Sequence, residues 1–497
     1  MSRASILAID QGTTSTRAVV HDETGTPIGS AARELKAYYP SPGRVEHDAE
    51  DIWQAVRAVV PEAIEAAGIR GRELSAIGVT NQRETTVLWD RADHSPVARA
   101  IVWQDRRTAD FCRERLADEP WIFARTGLVL DPYFSATKIR WLLDSDAAIR
   151  SRAEAGLLAC GTIDSFLVWR LTAGRVHATD RTNASRTLLA NLHSAQWDDD
   201  LCAYFGVPRH LLPEIRPSVA DFGVTAGLDF LPDGIPIRGV AGDQQAALFG
   251  QGAFSAGEAK CTYGTGAFFL QHIGDVPTLS KHRLLTTIAA SGPGAPQYAL
   301  EGAVFVAGAA VQWLRDGLRL FADAPAIEAL AESSDPAEPV VFVPGLVGLG
   351  APHWVPEARG VLFGLTRGTS IGDISRATLE GVAFQVGDLL DAASKDAGTR
   401  LQSLRVDGGM ARNAWFLQCQ ADVLGLPVVQ AATNEATALG AAYLAGLGVG
   451  VWAGVEELRK LGKPGRTFTP QWPEATREKR IATWHRAVRA LIGYYRG

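Results

Sequence analysis

The amino-acid sequence predicts an α/β protein built from two similar domains. At 497 residues the chain is too long for one ordinary hydrophobic core, so two domains of usual size are expected. Each half also opens with a strand, a short turn of Gly and Thr, and a second strand, at residues 6–22 and 259–270. Strand-like runs and segments of helical spacing then follow one another. We place the boundary near residues 250–257 and assign residues 1–252 and 253–497 to the two domains.

Composition narrows the class of protein further. The chain is 46% hydrophobic and carries a net charge of −6 with no basic stripe, so nucleic acid is not an expected partner. Its five cysteines are an odd number, widely spaced and without a CxxC pair. Such usage suits a reducing compartment and favours neither a metal nor a redox site, so we predict a cytoplasmic location.

Two apolar segments could indicate a targeting signal or a membrane span. The first ten residues contain a short apolar run that ends in an acid, which predicts a first strand rather than a signal peptide. Residues 438–455 are uncharged and almost long enough to span a bilayer, but they contain five glycines that would loosen a helix. We therefore predict a buried helix over residues 436–445, then a tight loop, and no stable membrane insertion.

Strand and helix signals in the first half come in a regular order. Residues 6–9 and 17–22 are β-like and are joined by turn residues, which predicts a hairpin. Apolar positions at helical spacing predict a helix over residues 51–67. Further strands are predicted at 76–79, 86–89, 100–103 and 237–240, and helices at 105–116 and after residue 243.

The second half repeats this pattern and ends in a helix. Strands are predicted at residues 259–263, 268–270 and 403–406, the last followed by a glycine pair. Residues 474–494 form an amphipathic pattern that predicts a C-terminal helix. Its apolar face carries Ile481, Trp484, Val488 and Leu491.

The first turn has the composition of a phosphate-binding loop. Residues 10–17 read DQGTTSTR, and a Gly/Thr hairpin presents backbone N–H groups and hydroxyls to phosphate oxygens. Asp10, at the strand end, could hold Mg²⁺, and Arg17 could reach a phosphate. An ordinary polar hairpin explains this segment equally well when it is taken alone.

Two segments of the second half would supply the other side of a nucleotide site. Residues 263–266 read YGTG, and residues 407–409 read DGG before a helix. A glycine pair at a strand end lets the backbone approach a nucleotide closely. Taken singly, each is better explained as a routine turn or strand-to-helix connection.

Two polar segments have the chemistry of a polyol site. Arg83 and Glu84 offer a donor fork and an acceptor, which suits a vicinal diol, although a loop salt bridge is the common alternative. Asp243 follows a strand and precedes a helical run, so it is either a helix N-cap, which its position favours, or a base for a hydroxyl proton. Trp103 and Tyr133 could wall the carbon face of a polyol or simply pack in the core.

Taken together, the order and identity of these segments resemble the glycerol kinases of the FGGY carbohydrate kinase family. The resemblance spans residues 5–455, and NQRET at 81–85 discriminates most, because sugar kinases of the family tend to differ there. Residues 134–142 and 360–381 look like the two family signatures. Four further segments carry it: residues 10–15, 242–250, 263–266 and 300–305.

The resemblance implies two ribonuclease-H-like (actin-like ATPase) domains with the active site in the cleft between them. It implies phosphorylation of glycerol by ATP to sn-glycerol 3-phosphate, the first step of glycerol catabolism, with Mg²⁺ near Asp10 and Asp243 as general base. The glycerol-binding residues implied are Arg83, Glu84, Trp103, Tyr133, Asp243, Gln244 and Phe268. The nucleotide-binding residues implied are Thr13, Thr14, Ser15, Arg17, Thr265, Gly308, Gln312, Gly409 and Asn413.

Several alternatives stay open from the sequence. Another FGGY kinase, acting on a longer polyol or a ketose such as xylulose, is the nearest. An actin- or Hsp70-like ATPase would share the phosphate hairpins but has no use for the polyol residues, and an inactive sensor would not need a full catalytic set. Residues 227–235 lack the Arg and the His through which some members are regulated. We expect a homo-oligomer, either a dimer or a tetramer.

Overall fold

The computed structural model of the chain describes residues 4–334, 340–433, 435–462 and 464–496, so the first three residues of the predicted N-terminal segment lie outside it. The strands of the first half are β1 (Ser5–Gln11), β2 (Ser15–Asp22), β3 (Pro27–Glu34), β4 (Ala37–Tyr38), β5 (Glu46–His47), β6 (Leu74–Asn81), β7 (Thr86–Asp90), β8 (Ala100–Ile101), β9 (Leu158–Thr162), β10 (Ala178–Asp180), β11 (Ala190–Asn191), β12 (Gln196–Trp197), β13 (Glu214–Arg216) and β14 (Ile237–Gly242). Its helices are α1 (Ala49–Ala66), α2 (Ala109–Glu114), α3 (Glu119–Thr126), α4 (Ser135–Ser145), α5 (Ala147–Glu154), α6 (Ile163–Leu171), α7 (Arg181–Ala184), α8 (Asp199–Phe205) and α9 (Asp243–Gly250).

The second half has fewer and longer elements. Its strands are β15 (Ala259–Tyr263), β16 (Ala267–Gly274), β17 (Leu285–Ala289), β18 (Gln297–Val304), β19 (Val341–Val343), β20 (Val361–Phe363), β21 (Leu404–Asp407), β22 (Val428–Ala431) and β23 (Pro464–Phe468). Its helices are α10 (Gly308–Gln312), α11 (Ala326–Glu332), α12 (Ile371–Ala397), α13 (Ala414–Leu424), α14 (Ala436–Gly448), α15 (Val455–Leu461) and α16 (Glu474–Arg496).

The two halves contain sheets of the same topology. In the first, the strand order is β3-β2-β1-β6-β14, with antiparallel pairing from β3 to β1 and parallel pairing from β1 to β14. In the second, β18-β16-β15-β21-β22 has the same order and the same pairing directions, with β17 and β23 added at the edges. The internal repeat predicted from two Gly/Thr turns is therefore confirmed at the level of the whole sheet.

Helices that follow equivalent strands cross over between the two sheets. Helix α9 follows β14, yet its Leu248 packs with residues of β16, β17 and β18 in the second sheet. Helix α14 follows β22, yet it covers Ile6 and Ala76 of the first sheet. Gly78 allows this close approach, because an added Cβ would lie 2.2 Å from the Ala441 carbonyl oxygen. The two halves are thus joined by a buried pair of helices.

Three predicted elements needed correction. The helix expected over 105–116 is confined to α2, because residues before it are held by a neighbouring loop: the Val45 N–H donates to the Asp105 carboxylate at 2.6 Å. The strand expected over 100–103 is only β8, and α14 runs through Gly446 and Gly448 rather than ending at 445. The remaining strands and helices predicted from the sequence are present, with ends shifted by a few residues.

All five cysteines are buried with free thiols. Within the described ranges, no helix combines the length and the apolar character needed to cross a bilayer.

Candidate active site

Three parallel strands bring the candidate catalytic residues to one edge of the first sheet. Strands β1, β6 and β14 run in the same direction, so their carboxyl ends meet. Asp10 lies near the end of β1, Arg83 and Glu84 follow β6, and Asp243 follows β14. This edge of an open α/β sheet is the usual place for a ligand site.

Arg83 and Glu84 sit in a tight, fully buried turn between β6 and β7. Glu84 has a positive φ of 61°, a conformation that non-glycine residues seldom adopt and that often marks a functional site. The stem of Arg83 lies on Gly242, where an added Cβ would come within 2.7 Å of it. Arg83 Nε is then 3.3 Å from Asp243 Oδ1, so the two predicted polyol-binding segments are in contact.

A second acid and a second arginine complete this cluster. Glu301, on β18, forms a bidentate ion pair with the Arg83 guanidinium, with N–O distances of 2.5 and 3.0 Å. Arg186 donates to Glu301 at 2.9 Å and to Glu84 at 2.7 Å. Sequence reasoning assigned no role to Glu301 or Arg186. The signal for Glu301 was its place as the single charged residue of β18, whose other residues are mostly apolar. Arg186 had no such signal.

Asp243 keeps an opening toward the cleft while its surroundings are buried. It is the first residue of α9, so it is not the N-cap, and its Oδ1 accepts the Gln244 N–H at 2.7 Å. Its side chain is 28% exposed, and burial raises the pKa of its carboxyl although Arg83 and Lys260 oppose this. A partly open carboxylate with a raised pKa is suited to take a proton.

Lys260 is a buried amine that the sequence analysis did not single out. It extends from β15, and its Nζ donates to Thr262 Oγ1 at 2.9 Å and to the Gln244 side chain. Burial lowers its pKa, while Asp407 and Asp243 oppose the shift. Gln244 is therefore held by a group from the second half of the chain.

Three aromatic rings form one wall beside Asp243 and Arg83. The Trp103 ring lies edge-on to Tyr133 at 5.6 Å and to Phe268 at 6.4 Å between centroids. Tyr133 also contacts Arg83, with 3.4 Å between its hydroxyl and the guanidinium. Phe268 comes from the second sheet, so the wall bridges the two halves, and the three aromatic residues predicted to line a polyol lie together.

The hairpin predicted to bind phosphate is tied to this wall on one side. Trp103 Nε1 donates to Thr13 Oγ1 at 2.9 Å, and the turn is closed by the Gly12 N–H donating to the Ser15 carbonyl at 2.9 Å. Thr14, at the tip, is exposed. The hydroxyls of the hairpin are thus held beside the cleft rather than buried in a core.

Arg17 has a partner that the sequence did not suggest. Its guanidinium forms an ion pair with both carboxylate oxygens of Glu435, the residue just before α14. Both side chains are about one-third exposed. Arg17 would have to leave or share Glu435 in order to reach a phosphate.

Two glycines of the second half lie where any side chain would clash with the backbone of a neighbouring turn. A Cβ on Gly308 would lie 2.6 Å from the Gly264 carbonyl oxygen, and one on Gly408, whose φ is +92°, would lie 2.4 Å from the Tyr263 carbonyl oxygen. A Cβ on Gly409, by contrast, would meet no atom within 4 Å. Gly308 and Gly408 thus allow neighbouring turns to pack closely, whereas Gly409 faces open space.

The other predicted nucleotide residues lie around the same turns. Thr265 forms the tip between β15 and β16, and its carbonyl accepts the N–H groups of Ala307 and Ala309 at the start of α10. Gln312 ends α10 and is exposed. Asn413 caps α13, its Oδ1 accepting the Phe416 N–H at 2.7 Å.

Asp10 is the acidic group best suited to a divalent cation. Burial, together with the negative charge of Asp243, raises its pKa to about 7, although Arg17 opposes the shift. The negative charge of Asp243 acts on Asp10, and a hard cation with oxygen ligands would relieve this repulsion. In the part of the chain that is described, no cluster of three or more His, Cys, Asp or Glu is placed to hold a metal. A cation at Asp10 would therefore need further oxygens from phosphate and water.

Comparison with known protein families identifies the family to which a protein with this arrangement belongs. The N-terminal domain model of the FGGY family of carbohydrate kinases matches residues 5–250, and the C-terminal domain model of that family matches residues 259–449. The chain belongs to the FGGY family of carbohydrate kinases. The resemblance expected from the motifs is confirmed.

Curated FGGY relatives match over nearly their whole length. The glycerol kinase of Bordetella parapertussis is 52% identical, covering 99% of this chain and 98% of its own length. The glycerol kinase of Alcanivorax borkumensis is 53% identical, with 99% of each chain covered.

Solved structures show the same two-domain fold. The structure of Plasmodium falciparum glycerol kinase with ADP has a TM-score of 0.93 and 36% identity, covering 98% of each chain. The xylulose kinase of Rhodospirillum rubrum has a TM-score of 0.88 and 25% identity, covering 99% of this chain and all of that one. The predicted fold class, two actin-like ATPase domains, is confirmed by these FGGY kinases.

Proposed function

We propose that this FGGY kinase transfers the γ-phosphoryl group of ATP to glycerol and forms sn-glycerol 3-phosphate. The observation that carries the proposal is the contact of Arg83 with Asp243 beside a three-ring wall. Hydroxyl-pairing groups, a base and an apolar face thereby surround one small volume. Relatives that are about half identical over their full length and named glycerol kinase support the choice of substrate.

Glycerol would be bound by paired polar groups on one side and rings on the other. Arg83 would donate to hydroxyl oxygens, and the Glu84 and Asp243 carboxylates would accept hydrogen bonds from hydroxyl groups, with Tyr133 and Gln244 beside them. Trp103 and Phe268 would contact the carbon atoms. Such a site rejects analogues that lack a hydroxyl, because its buried polar groups are then left unpaired.

The chemical step would need one base and a positioned phosphate. Asp243 takes the proton of a primary hydroxyl as that oxygen attacks the γ-phosphorus in line, and ADP leaves. Contact of the two halves keeps water away, which prevents transfer of the phosphoryl group to water. The raised pKa of Asp243 keeps this carboxylate basic enough for the task.

The nucleotide would lie between the two sets of turns. Thr13, Thr14, Ser15 and Arg17 would contact the phosphates from the first half. Gly308, Gly409, Thr265, Gln312 and Asn413 would hold the nucleotide from the second. Mg²⁺, when bound at Asp10, would offset charge on the phosphate oxygens. The fit rests on the buried carboxylate of Asp10, which lies within electrostatic reach of Asp243.

A coupled assay of ADP release tests the proposal directly. We expect ATP consumption to depend on added glycerol and formation of glycerol 3-phosphate to match ADP release one to one. An ATPase of the actin or Hsp70 type would consume ATP without glycerol. Turnover that is equal with and without glycerol would refute the proposal.

A panel of acceptors separates glycerol from other FGGY substrates. We expect kcat/KM for glycerol to exceed that for xylulose and for a longer polyol, since Arg83, Glu84 and Tyr133 meet in one compact cluster. A higher value for either of these acceptors would reassign the enzyme within its family. The cytoplasmic location and the homo-oligomeric state stay predictions.

A further inference from the structure

The polyol end of the site contains a balanced cluster of four buried charges. Arg83, Arg186, Glu84 and Glu301 are each no more than 2% exposed. Three of them come from the first half, whereas Glu301 comes from β18 in the second sheet. The residue predicted to bind the polyol is therefore held by an acid from the opposite side of the cleft.

The register of the second sheet explains why Glu301 faces the cleft. Phe268 pairs with Ala303 across the antiparallel strands β16 and β18, and directly opposed residues project to the same face. Glu301 lies two positions before Ala303, so it shares that face with Phe268. Gly302, between them, faces the other way and packs against α12 through Leu389.

Glu301 fixes the direction in which Arg83 can point. Its two oxygens receive the two terminal nitrogens of Arg83 at 2.5 and 3.0 Å, a planar pairing that only one orientation of the guanidinium satisfies. That orientation leaves Arg83 Nε directed at Asp243. Arg186 repels Arg83, and Glu301 offsets this by accepting a bond from each of them.

We propose that Glu301 is a positioning residue that aims Arg83 at a polyol hydroxyl and completes the polyol site from the second half of the chain. Discrimination between glycerol and diols then depends on Glu301, although Glu301 itself need not touch the substrate. This inference rests on the proposed function. It deepens that function by adding a residue that sets specificity.

Substitution of Glu301 by Gln tests the inference with three acceptors. Glycerol is compared with 1,2-propanediol and 1,3-propanediol, each of which lacks one hydroxyl. In Glu301→Gln we expect kcat/KM for glycerol to fall about 10- to 100-fold, the effect of a lost charge-assisted hydrogen bond. The diol that lacks the hydroxyl bound by Arg83 should change less than about threefold, and KM for ATP less than about twofold.

A matched control separates positioning from general loss of a buried ion pair. Glu380, on α12, is also buried and also receives two arginines, Arg376 at 2.8 Å and Arg480 at 2.5 Å, but lies outside the site. Glu380→Gln should lower the melting temperature and leave the ratio of kcat/KM between glycerol and the diols unchanged. An equal loss for all three acceptors in Glu301→Gln would overturn the inference.

A double-mutant cycle asks whether Glu301 acts through Arg83. If it does, Arg83→Gln and Glu301→Gln together should cost little more in kcat/KM for glycerol than the worse single variant. Multiplicative losses would refute the inference. If Glu301→Gln fails to fold, Glu301→Asp, which keeps the charge but withdraws it by one methylene, replaces it in both tests. A wild-type enzyme inactive on glycerol would refute the proposed function instead.

Discussion

At the scale of single residues, Asp243 combines burial with an open path to the cleft. Its carboxyl is 28% exposed and has a raised pKa, and its partners Arg83 and Gln244 are predicted to bind the same substrate. A group in this position can accept a proton without a large change in structure. Its removal should affect chemistry more than folding.

We therefore expect Asp243→Asn to fold and bind ATP but to turn over at least about 100-fold more slowly, the usual effect of losing a positioned base. Turnover is measured by coupled ADP release and ATP binding by calorimetry. Asp229→Asn, at an exposed residue that pairs with Arg57 of α1, serves as the control and should keep wild-type kcat. A near-normal rate in Asp243→Asn would remove Asp243 from the role of base.

Arg83 should govern both substrate binding and stability. Arg83→Ala is expected mainly to raise the glycerol KM, because a hydroxyl loses its donor. It also leaves Glu301 with one arginine fewer inside the protein, which typically costs about 3–5 kcal/mol of unfolding free energy. Steady-state kinetics and urea unfolding measure the two effects. Unchanged activity on glycerol would contradict the substrate assignment.

Asp10 should couple cation binding to pH. Its pKa near 7 means that below this pH a proton must leave before Mg²⁺ can bind, whereas above it the carboxylate is free. Apparent Mg²⁺ affinity in the presence of ATP should therefore tighten as pH rises through about 7 and then level off. Calorimetry in two buffers gives the protons released, and Asp10→Asn gives the background from ATP. Equal proton release by both proteins would contradict the prediction.

Residue identities were predicted from the sequence more fully than residue contacts. Local signals found Arg83, Asp243 and the aromatic residues because each follows a strand or a turn. Glu301 was not recognised as part of the site, because its partner Arg83 is 218 positions away and nothing nearby marks their pairing. Such pairings depend on how two sheets face each other, which local patterns do not report.

At the scale of elements, glycine determines how closely α9 and α14 cross. A Cβ on Gly440 would lie 1.9 Å from the Ala246 carbonyl oxygen, and one on Gly250 would lie 2.0 Å from that of Ala436. The helices touch backbone to backbone at these points. Neither helix can take a larger residue there without moving the other.

Gly440→Ala should therefore lower the unfolding free energy by about 1–3 kcal/mol through overpacking. Gly493→Ala is the matched control: this glycine lies in α16, where an added Cβ meets no atom within 4 Å. It should raise the unfolding free energy by about 0.5–1 kcal/mol, because alanine favours a helix. Urea unfolding measures both. The two substitutions should change the unfolding free energy in opposite directions, and equal changes would contradict the packing argument.

Elements were predicted well where the signal was local and poorly where a neighbour decided the outcome. The hairpin of β1 and β2 and the long α1 followed from turn residues and apolar spacing. The segment before α2 carried a helical pattern, but Asp105 is used by the loop at Val45 instead. Helix α14 was expected to be buried, yet the sequence did not indicate that it covers the first sheet.

At the scale of the whole molecule, the repeated sheet explains why the site lies between the halves. Each copy presents the hairpin end of its first two strands and the carboxyl ends of its parallel strands to the cleft. Asp10 and Asp243 come from one copy, and Lys260 and Glu301 from the other. The repeat was visible in the sequence as two Gly/Thr turns, but its facing arrangement came from the family resemblance.

The crossing of α9 and α14 also affects how the chain can be made. A ribosome releases the first sheet long before it has produced α14, so Ile6, Ala8 and Ala76 have no cover during most of synthesis. The nascent amino-terminal half should consequently expose apolar surface and bind chaperones until α14 has been synthesised. A message cut short before codon 436 would yield a product prone to aggregate rather than a smaller working lobe.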